Sequence, residues 1–328
     1  MIKIRELSAQ DAGTLADFFS SQTGATADSM LSRMRWLARN PAFTPEIPLG
    51  VAAFDTDRIC GAMLFIPTRF TDGETIRTCI LSILFYVDPS VRGAGLPLFL
   101  SYRKLAGKYP LYAATANQTS SRLWSSFAGR AIPGSELEYV RVCRPLPVIS
   151  EFFLRNFPSQ SRARSSYVDV ALHPSVEEKL VPIPDPDLKL QSLATAAAGS
   201  FEALRDPQTI RWKIYERAQT LYLYRNNRSE CLCLFQYSRR GSRSQIAAVD
   251  LLELWGCLDW PDTRDFLLCV QRLFSADLIS FRGGTPLAKM EQLARYFRRR
   301  RFGCPAVWLM DPNNLLDNRF RYSPFAGE

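Results

Sequence analysis

The sequence predicts an α/β protein built on a largely antiparallel sheet flanked by helices, and three observations carry that prediction. Up to Arg144 the chain reads strand, two helices, a meander of strands, helix, strand, helix, strand. Between Ile80 and Leu100 an apolar strand-like run meets Asp88-Pro89-Ser90-Val91-Arg92-Gly93-Ala94-Gly95, and an apolar helical pattern follows. Beyond the prolines at 182, 184 and 186, much of the same order returns as a diverged echo of the first half.

Each element has a local cause. Met1–Leu7 alternates like a strand, and Ser8 caps a helix whose apolar stripe is Leu15, Phe18 and Phe19. A second helix, about Thr26–Arg39, carries Met30, Met34 and Leu37 on one side. Pro41, Pro45 and Pro48 mark a loop. Leu49–Phe54 and Ile59–Pro67 read as strands around a polar hairpin turn, and Glu74–Val87 as a further strand with a kink or bulge. Pro97–Tyr109 is a helix, Leu111–Thr115 a short strand, Ser120–Phe127 a helix, and Glu138–Arg144 the closing strand of this unit. Pro145–Phe157 reads as a joining helix and Ser159–Ser166 as a basic connector. In the second half, Leu193–Tyr215 reads as helical, with strands at Leu221–Arg225, Glu230–Tyr237 and Gln245–Trp255. Helix Asp262–Phe274, strand Asp277–Phe281, helix Leu287–Arg301 and strand Ala306–Met310 complete it.

Composition narrows the function classes. With 328 residues, 47% of them hydrophobic, the chain is long enough for two cores, divided here as 1–145, a connector 146–190, and 191–328. No segment approaches the roughly 20 apolar residues that span a bilayer, and the N-terminus lacks the apolar run of a signal peptide, so a cytoplasmic protein is expected. The eight cysteines are dispersed without a Cys-x-x-Cys pair, and His173 is the single histidine. They read as small core residues rather than metal ligands. A net charge of +9 suits an anionic ligand. The densest basic run, Arg298–Arg301, reads as the last turn of a helix complementing its dipole. No aromatic-interleaved basic platform supports nucleic-acid binding through that run or through Ser159–Arg164.

The turn after Val87 is the strongest chemical signal. A strand that ends in small residues and starts a helix presents free N–H groups and the positive helix end, a cradle for a phosphate-bearing ligand. The spacing matches neither a dinucleotide fingerprint nor a nucleotide-triphosphate loop. Val87-Asp88-Pro89 followed by Arg92-Gly93-Ala94-Gly95-Leu96 resembles the hallmark of the Gcn5-related N-acetyltransferase (GNAT) superfamily, whose last small motif residue falls here on Pro97. The resemblance covers Met1–Arg144. The second half resembles the degenerate acetyltransferase-like domain of larger tandem members, down to Trp308-Leu309-Met310-Asp311 and Leu315-Leu316-Asp317 near the end.

What the resemblance implies is an acetyltransferase-like mixed sheet, duplicated in tandem. Acetyl-CoA or another acyl-CoA would be held by Val87, Arg92, Gly93, Ala94, Gly95, Leu96, Asn117 and Trp124, with the pyrophosphate on the turn amides. A backbone N–H at the end of the Ser82–Val87 strand would polarise the acyl carbonyl. Trp124 stands where many members have a tyrosine acid, and an indole cannot serve as that acid near neutral pH. Glu46, Glu74 and Tyr86 are the candidates for handling the acceptor's proton or hydrogen-bonding it; each also has a plain reading, as surface carboxylates or a packed ring. Cys79 has no histidine to activate it. The acceptor would be a small-molecule or carrier-linked amine, such as a cell-envelope or polysaccharide precursor. A homodimer is compatible with this reading. The alternative is a non-catalytic CoA-binding or scaffold protein.

Overall fold

The structure, a computed structural model, describes residues 2–91, 93–155, 179–183, 201–204, 206–214, 220–240, 246–258, 260–283, 285, 291–301, 304–316, 320 and 322. Arg92, His173, the 159–166 connector and the 317–319 segment lie outside them.

The chain opens with β1 (Ile2–Leu7), α1 (Ala12–Thr23) and α2 (Ala27–Ala38), followed by the meander β2 (Gly50–Asp55), β3 (Arg58–Thr71) and β4 (Ile76–Val87). Then come α3 (Gly95–Arg103), β5 (Leu111–Ala113), α4 (Gln118–Ser126), β6 (Arg130–Ala131), β7 (Leu137–Val142) and α5 (Pro145–Arg155). The remainder supplies β8 (Leu180–Ile183), β9 (Glu202–Ala203), α6 (Pro207–Lys213), β10 (Leu221–Arg225), β11 (Glu230–Arg240) and β12 (Ile246–Cys257). It ends with α7 (Trp260–Leu273), β13 (Leu278–Arg282), α8 (Glu291–Ala294), β14 (Arg298–Arg301) and β15 (Trp308–Met310). The mixed, mostly antiparallel α/β architecture expected from the sequence is present.

These strands form two sheets of one topology. Sheet 1 runs β1-β2-β3-β4-β5-β15-β6, with β9 added to the far end of β3. Sheet 2, read in the matching direction, runs β8-β10-β11-β12-β13-β7-β14. Neighbours are antiparallel throughout except β4–β5 and β12–β13, which are parallel in both cases. The two sheets exchange one strand reciprocally. β7 comes before the connector yet sits in sheet 2 between β13 and β14, while β15 comes from the end of the chain and sits in sheet 1 between β5 and β6.

Four sequence expectations are corrected here. Glu138–Arg144 does not close the first sheet, so a cut at residue 145 passes through sheet 2. The segment 146–190 is not a bare connector, because it contains most of α5 and the edge strand β8. The basic run is not a helix end: Arg298–Arg301 pairs with Val140–Leu137 as an edge strand, all four residues exposed. Buried Phe297 and the Arg141 guanidinium over the Tyr296 ring anchor its start, and a charged edge strand discourages pairing with other chains. Within the expected helix 193–215, the described part instead forms β9 and the seven-residue α6.

One core joins the halves. Leu81 and Ile83 of β4 share it with α1, α2 and with Leu221, Leu232, Leu234 and Trp255 of sheet 2. At its centre Trp36 and Trp212 stack with ring centroids 4.5 Å apart, and each indole N–H donates to the other's carbonyl at 2.8 Å. Burial of two indoles with both N–H groups satisfied clamps α2 to α6. Arg69 adds an ion pair to Asp206 at 3.0 Å. Separate cores lie under the outer helices, one with α3 and α4 on sheet 1, the other with α7 on sheet 2.

Candidate functional site

Sheet 1 opens a fork in its middle. The parallel ladder between β4 and β5 holds only from Ile80↔Leu111 to Ser82↔Ala113, and β4 continues five residues further. Just before the fork, the buried Tyr102 hydroxyl of α3 lies 2.7 Å from the Ile80 carbonyl and 3.2 Å from that of Tyr112, pinning both strands. Burial pushes its phenol well above the ordinary tyrosine value, so it remains a neutral donor. Past the fork, β5 gives way to α4, and Ala116 donates to Ala306 on the β15 side instead.

Beside the fork, β4 carries a bulge. The β3–β4 register steps from Leu64↔Ile83 to Ala62↔Tyr86, so Leu84 and Phe85 together oppose Met63. Leu84 has φ +47°, a left-handed conformation that costs a branched residue on the order of 1–3 kcal/mol. The bulge bends the strand and leaves a residue out of the ladder, which frees backbone polar groups at the mouth of the fork. A kink or bulge was expected from the sequence, and this is its location.

The turn that follows is organised by Asp88. Its carboxylate accepts from the Ser90 N–H at 2.9 Å and the Ser90 hydroxyl at 2.6 Å, and pairs with Arg58 at 2.7 Å. Those bonds, the Ser90 hydroxyl's first, hold its pKa below the ordinary carboxylate value. Asp-Pro-Ser is a turn-forming sequence, and that signal was available for assigning Asp88 this role. Gly93 then takes φ +89°, open to solvent, and α3 begins at Gly95 with no side-chain cap. The N–H groups of the first turn precede the bond from Leu98 to the Ala94 carbonyl, and Pro97 has none to give.

The expected cofactor residues divide. Val87, Gly93, Ala94, Gly95 and Leu96 lie together at the head of α3, beside the fork and the bulge. The backbone here needs glycine at position 93. A Cβ at Gly95 would meet Val87 and Phe85 at ordinary contact distances of 3.7 and 3.8 Å. Asn117 is exposed at the start of α4 and serves as its N-cap, accepting from Ser120 N–H at 2.9 Å. Trp124 faces the core, 2% exposed, edge-on to Phe99 at 5.6 Å and Tyr102 at 6.0 Å. Its packing makes it a structural residue rather than a wall of the fork.

The catalytic candidates divide as well. Tyr86 follows the bulge on β4, 38% exposed, with its ring edge-on to Phe19 of α1 at 6.0 Å. Glu74 lies in the β3–β4 turn, where its N–H donates to Asp72, at the opposite end of a strand about 36 Å long. Glu46 is exposed and pairs with Lys108 at 3.2 Å, beyond the C-terminal end of α3. Neither carboxylate reaches the fork. Cys79 is fully buried, and burial raises its thiol well above the ordinary value. Among the described residues no group of three or more His, Cys, Asp and Glu side chains is arranged to hold a metal, and no helix is long and apolar enough to cross a membrane.

No protein-family model matches the sequence, and a search of curated proteins finds no match. Solved structures do resemble it. A probable N-acyltransferase from Enterococcus faecalis V583 matches with TM-score 0.55 at 9% identity, over 94% of this chain and 72% of that one. A GCN5-related N-acetyltransferase from Anabaena variabilis matches with TM-score 0.55 at 13% identity, over 94% and 72%. One from Kribbella flavida gives 0.54 at 10%, over 94% and 71%. With the forked sheet and the bulged β4 already in view, these likenesses identify the fold as that of the GCN5-related N-acetyltransferases.

Proposed function

We propose that the fork of sheet 1 binds an acyl-CoA, acetyl-CoA as the simplest case, and that the protein transfers the acyl group to an amine. The observation that carries this reading is the convergence of three features at one end of β4: the split from β5, the bulge at Leu84–Phe85, and the glycine turn heading α3. The turn offers N–H groups and the helix dipole to a pyrophosphate, the split offers a slot for the pantetheine arm, and a freed backbone N–H at the bulge would polarise the thioester carbonyl. Of the three candidate side chains, Tyr86 alone stands at this end, on the α1 face where an acceptor would approach. The acceptor class remains a small-molecule or carrier-linked amine. The identical strand orders of the two sheets support a tandem duplication in which sheet 2 has lost its cofactor turn.

Titration calorimetry with acetyl-CoA tests the site. Gly93→Val forces a branched residue to φ +89° and should weaken binding at least tenfold, while Gly95→Ala, which the packing accommodates, should stay within about threefold. Absence of binding to the unaltered protein, or equal affinities in all three, would overturn the assignment. A second reading, a CoA-binding protein without transfer, is favoured by the placement of Glu46 and Glu74 away from the fork. Tight acetyl-CoA binding with no turnover across a panel of amines would select it.

A further inference from the structure

Where β7 hands over to α5, the molecule exposes apolar side chains beside a row of arginines. α5 turns Val148 and Glu151 inward, Glu151 to 3% exposure, and presents Leu146 and Ile149, three residues apart, together on its outer side. Leu146 is 78% exposed, more than any other large apolar side chain among the described residues, and Ile149 is 48% exposed. Val142, the last residue of β7 before the chain turns into α5, is exposed as well.

The cations come from the edge strand. Arg298 pairs with Val140 in the β7–β14 ladder, so its side chain shares a sheet face with Val142, its diagonal neighbour at about 7–8 Å. Arg299 follows on the other face, and both are exposed. Neither makes an ion pair among the described residues. The carboxylates beside them are already engaged: Asp277 holds Arg144 at 2.7 Å, and the buried Glu138 lies 3.6 Å from Arg240. Protecting a sheet edge is indifferent to the sign of the charge, so successive arginines next to exposed Leu146 and Ile149 call for a second reason. A second copy of the chain would bring the same arginines to the contact and repel them. A nucleic acid would use the arginines and leave the apolar side chains in water. An anionic bilayer uses both, because guanidinium groups meet its phosphates while aliphatic side chains enter the boundary below the headgroups.

We propose that this face docks the protein on an anionic lipid surface, with Leu146, Ile149 and Val142 in the interface and Arg298 and Arg299 on the lipid phosphates. The attachment is peripheral and reversible, since it rests on a few side chains, and salt screens its electrostatic part. It is separate from the glycine turn, which lies on sheet 1.

Co-sedimentation of the full chain with vesicles tests it. One set is phosphatidylcholine alone, the other phosphatidylcholine with about a third phosphatidylglycerol. The protein should bind the anionic vesicles at least tenfold more tightly than the neutral ones, and lose at least fivefold between about 0.1 M and 0.5 M salt. Leu146→Ser should weaken anionic-vesicle binding at least fivefold, and so should Arg298→Gln with Arg299→Gln. Removing the same two charges elsewhere, with Lys104→Gln and Arg122→Gln, should change it less than twofold. All three variants alter exposed side chains and should keep the parent melting temperature within about two degrees. No vesicle binding, equal binding to both compositions, or equal losses from the two charge-removing pairs would overturn the proposal. Loss with the arginine pair but indifference to Leu146→Ser would mark a general polyanion site and overturn it too. So would a Leu146→Ser variant that dissociates an oligomer of the lipid-free protein, which would assign the face to a second copy. Failure of acetyl-CoA to bind the glycine turn would leave this test intact, because the vesicle readout does not depend on it.

Discussion

On the face turned away from its outer helices, sheet 1 carries Leu81 and Tyr112 where β4 meets β5, whereas sheet 2 carries Asp250 and Ser280 where β12 meets β13. Alternation fixes these faces: Ile80 and Leu111 point to the α3 core, and Val249 and Ile279 to the α7 core. In sheet 2 the polar pair is closed by its neighbours. Arg240 bonds Asp250 at 2.7 Å, lies 3.6 Å from Glu138, and the Ser280 hydroxyl donates to Asp250. Both central strands also have an irregular ladder, at Leu84–Phe85 in β4 and beside Leu252 in β12. The helix starts differ again. α3 follows a glycine turn, but α7 opens with Pro261 and Asp262, the latter accepting from Ser229 at 2.7 Å. An acid in the first turn takes the place an anion would need. One topology thus supports a glycine turn at a helix start in one sheet and a self-satisfied ionic network in the other, and a few residues decide which.

The largest effect should come from the clamp that binds the two sheets. Trp36→Ala should cost about 3–5 kcal/mol in denaturant unfolding. Trp36→Ala with Trp212→Ala should cost clearly less than the sum of the singles, because each indole satisfies the other's carbonyl. Strict additivity would mean the halves are not clamped there. Next, Asp250→Ala should cost about 1–3 kcal/mol by leaving the Ser280 hydroxyl without its acceptor and Arg240 without the nearer of its two carboxylates. Making the sheet 2 face resemble sheet 1, with Asp250→Leu, Arg240→Met and Ser280→Val together, should recover most of that loss.

Trp124→Phe sharpens the contrast from the sheet 1 side. It should cost about 1–2 kcal/mol through lost packing on Phe99 and Tyr102, and leave the pH dependence of any transfer unchanged, since no ionisable group is removed. A lost alkaline limb in a variant that still folds would refute the packing assignment.

The smallest effect concerns acid. Burial alone would raise the Asp11 carboxyl, but bonds from Arg5 at 2.7 Å and the Ser8 N–H at 2.8 Å hold it below the ordinary value. A depressed pKa stabilises the fold above the ordinary carboxylate value near 4, and that contribution is lost as pH falls through the folded-state value. Asp11→Ala should therefore cost about 1 kcal/mol at pH 7 and progressively less below pH 4. On α7, over sheet 2, Asp265 is likewise held low, chiefly by the bond from Lys179, but it is more exposed. Asp265→Asn should change stability by less than about 0.5 kcal/mol at pH 7.

Legibility in the sequence followed the range of the forces involved. Local signals were readable: Ser8 at the first cap, the stripe of Leu15, Phe18 and Phe19, the Asp-Pro-Ser turn and the glycines before α3. Placements decided by distant partners were not. An alternating segment such as Leu137–Val142 carries no mark of which sheet it will enter, because pairing is set by edges formed elsewhere. Arg298–Arg301 reads as a helix end by charge and becomes a strand because β7 offers it an edge. Trp124 could be placed near the cofactor by analogy, yet its ring direction depends on Phe99 and Tyr102. Glu46 and Glu74 were chosen by residue type, and only the length of β4 and the course of α3 show how far each is from the fork.

The exchanged strands also govern how this chain must be made. Leu111 finds its partner Met310 about 200 residues later, so at a synthesis rate of roughly 5–20 residues per second sheet 1 waits on the order of 10–40 s for β15 to leave the ribosome. Until then β5 and β6 are open edges on the nascent chain, and β7 waits in the same way for β13. Neither sheet can be completed by its own half, which makes folding late and cooperative across both halves and ties the geometry of the fork in sheet 1 to the arrival of β15.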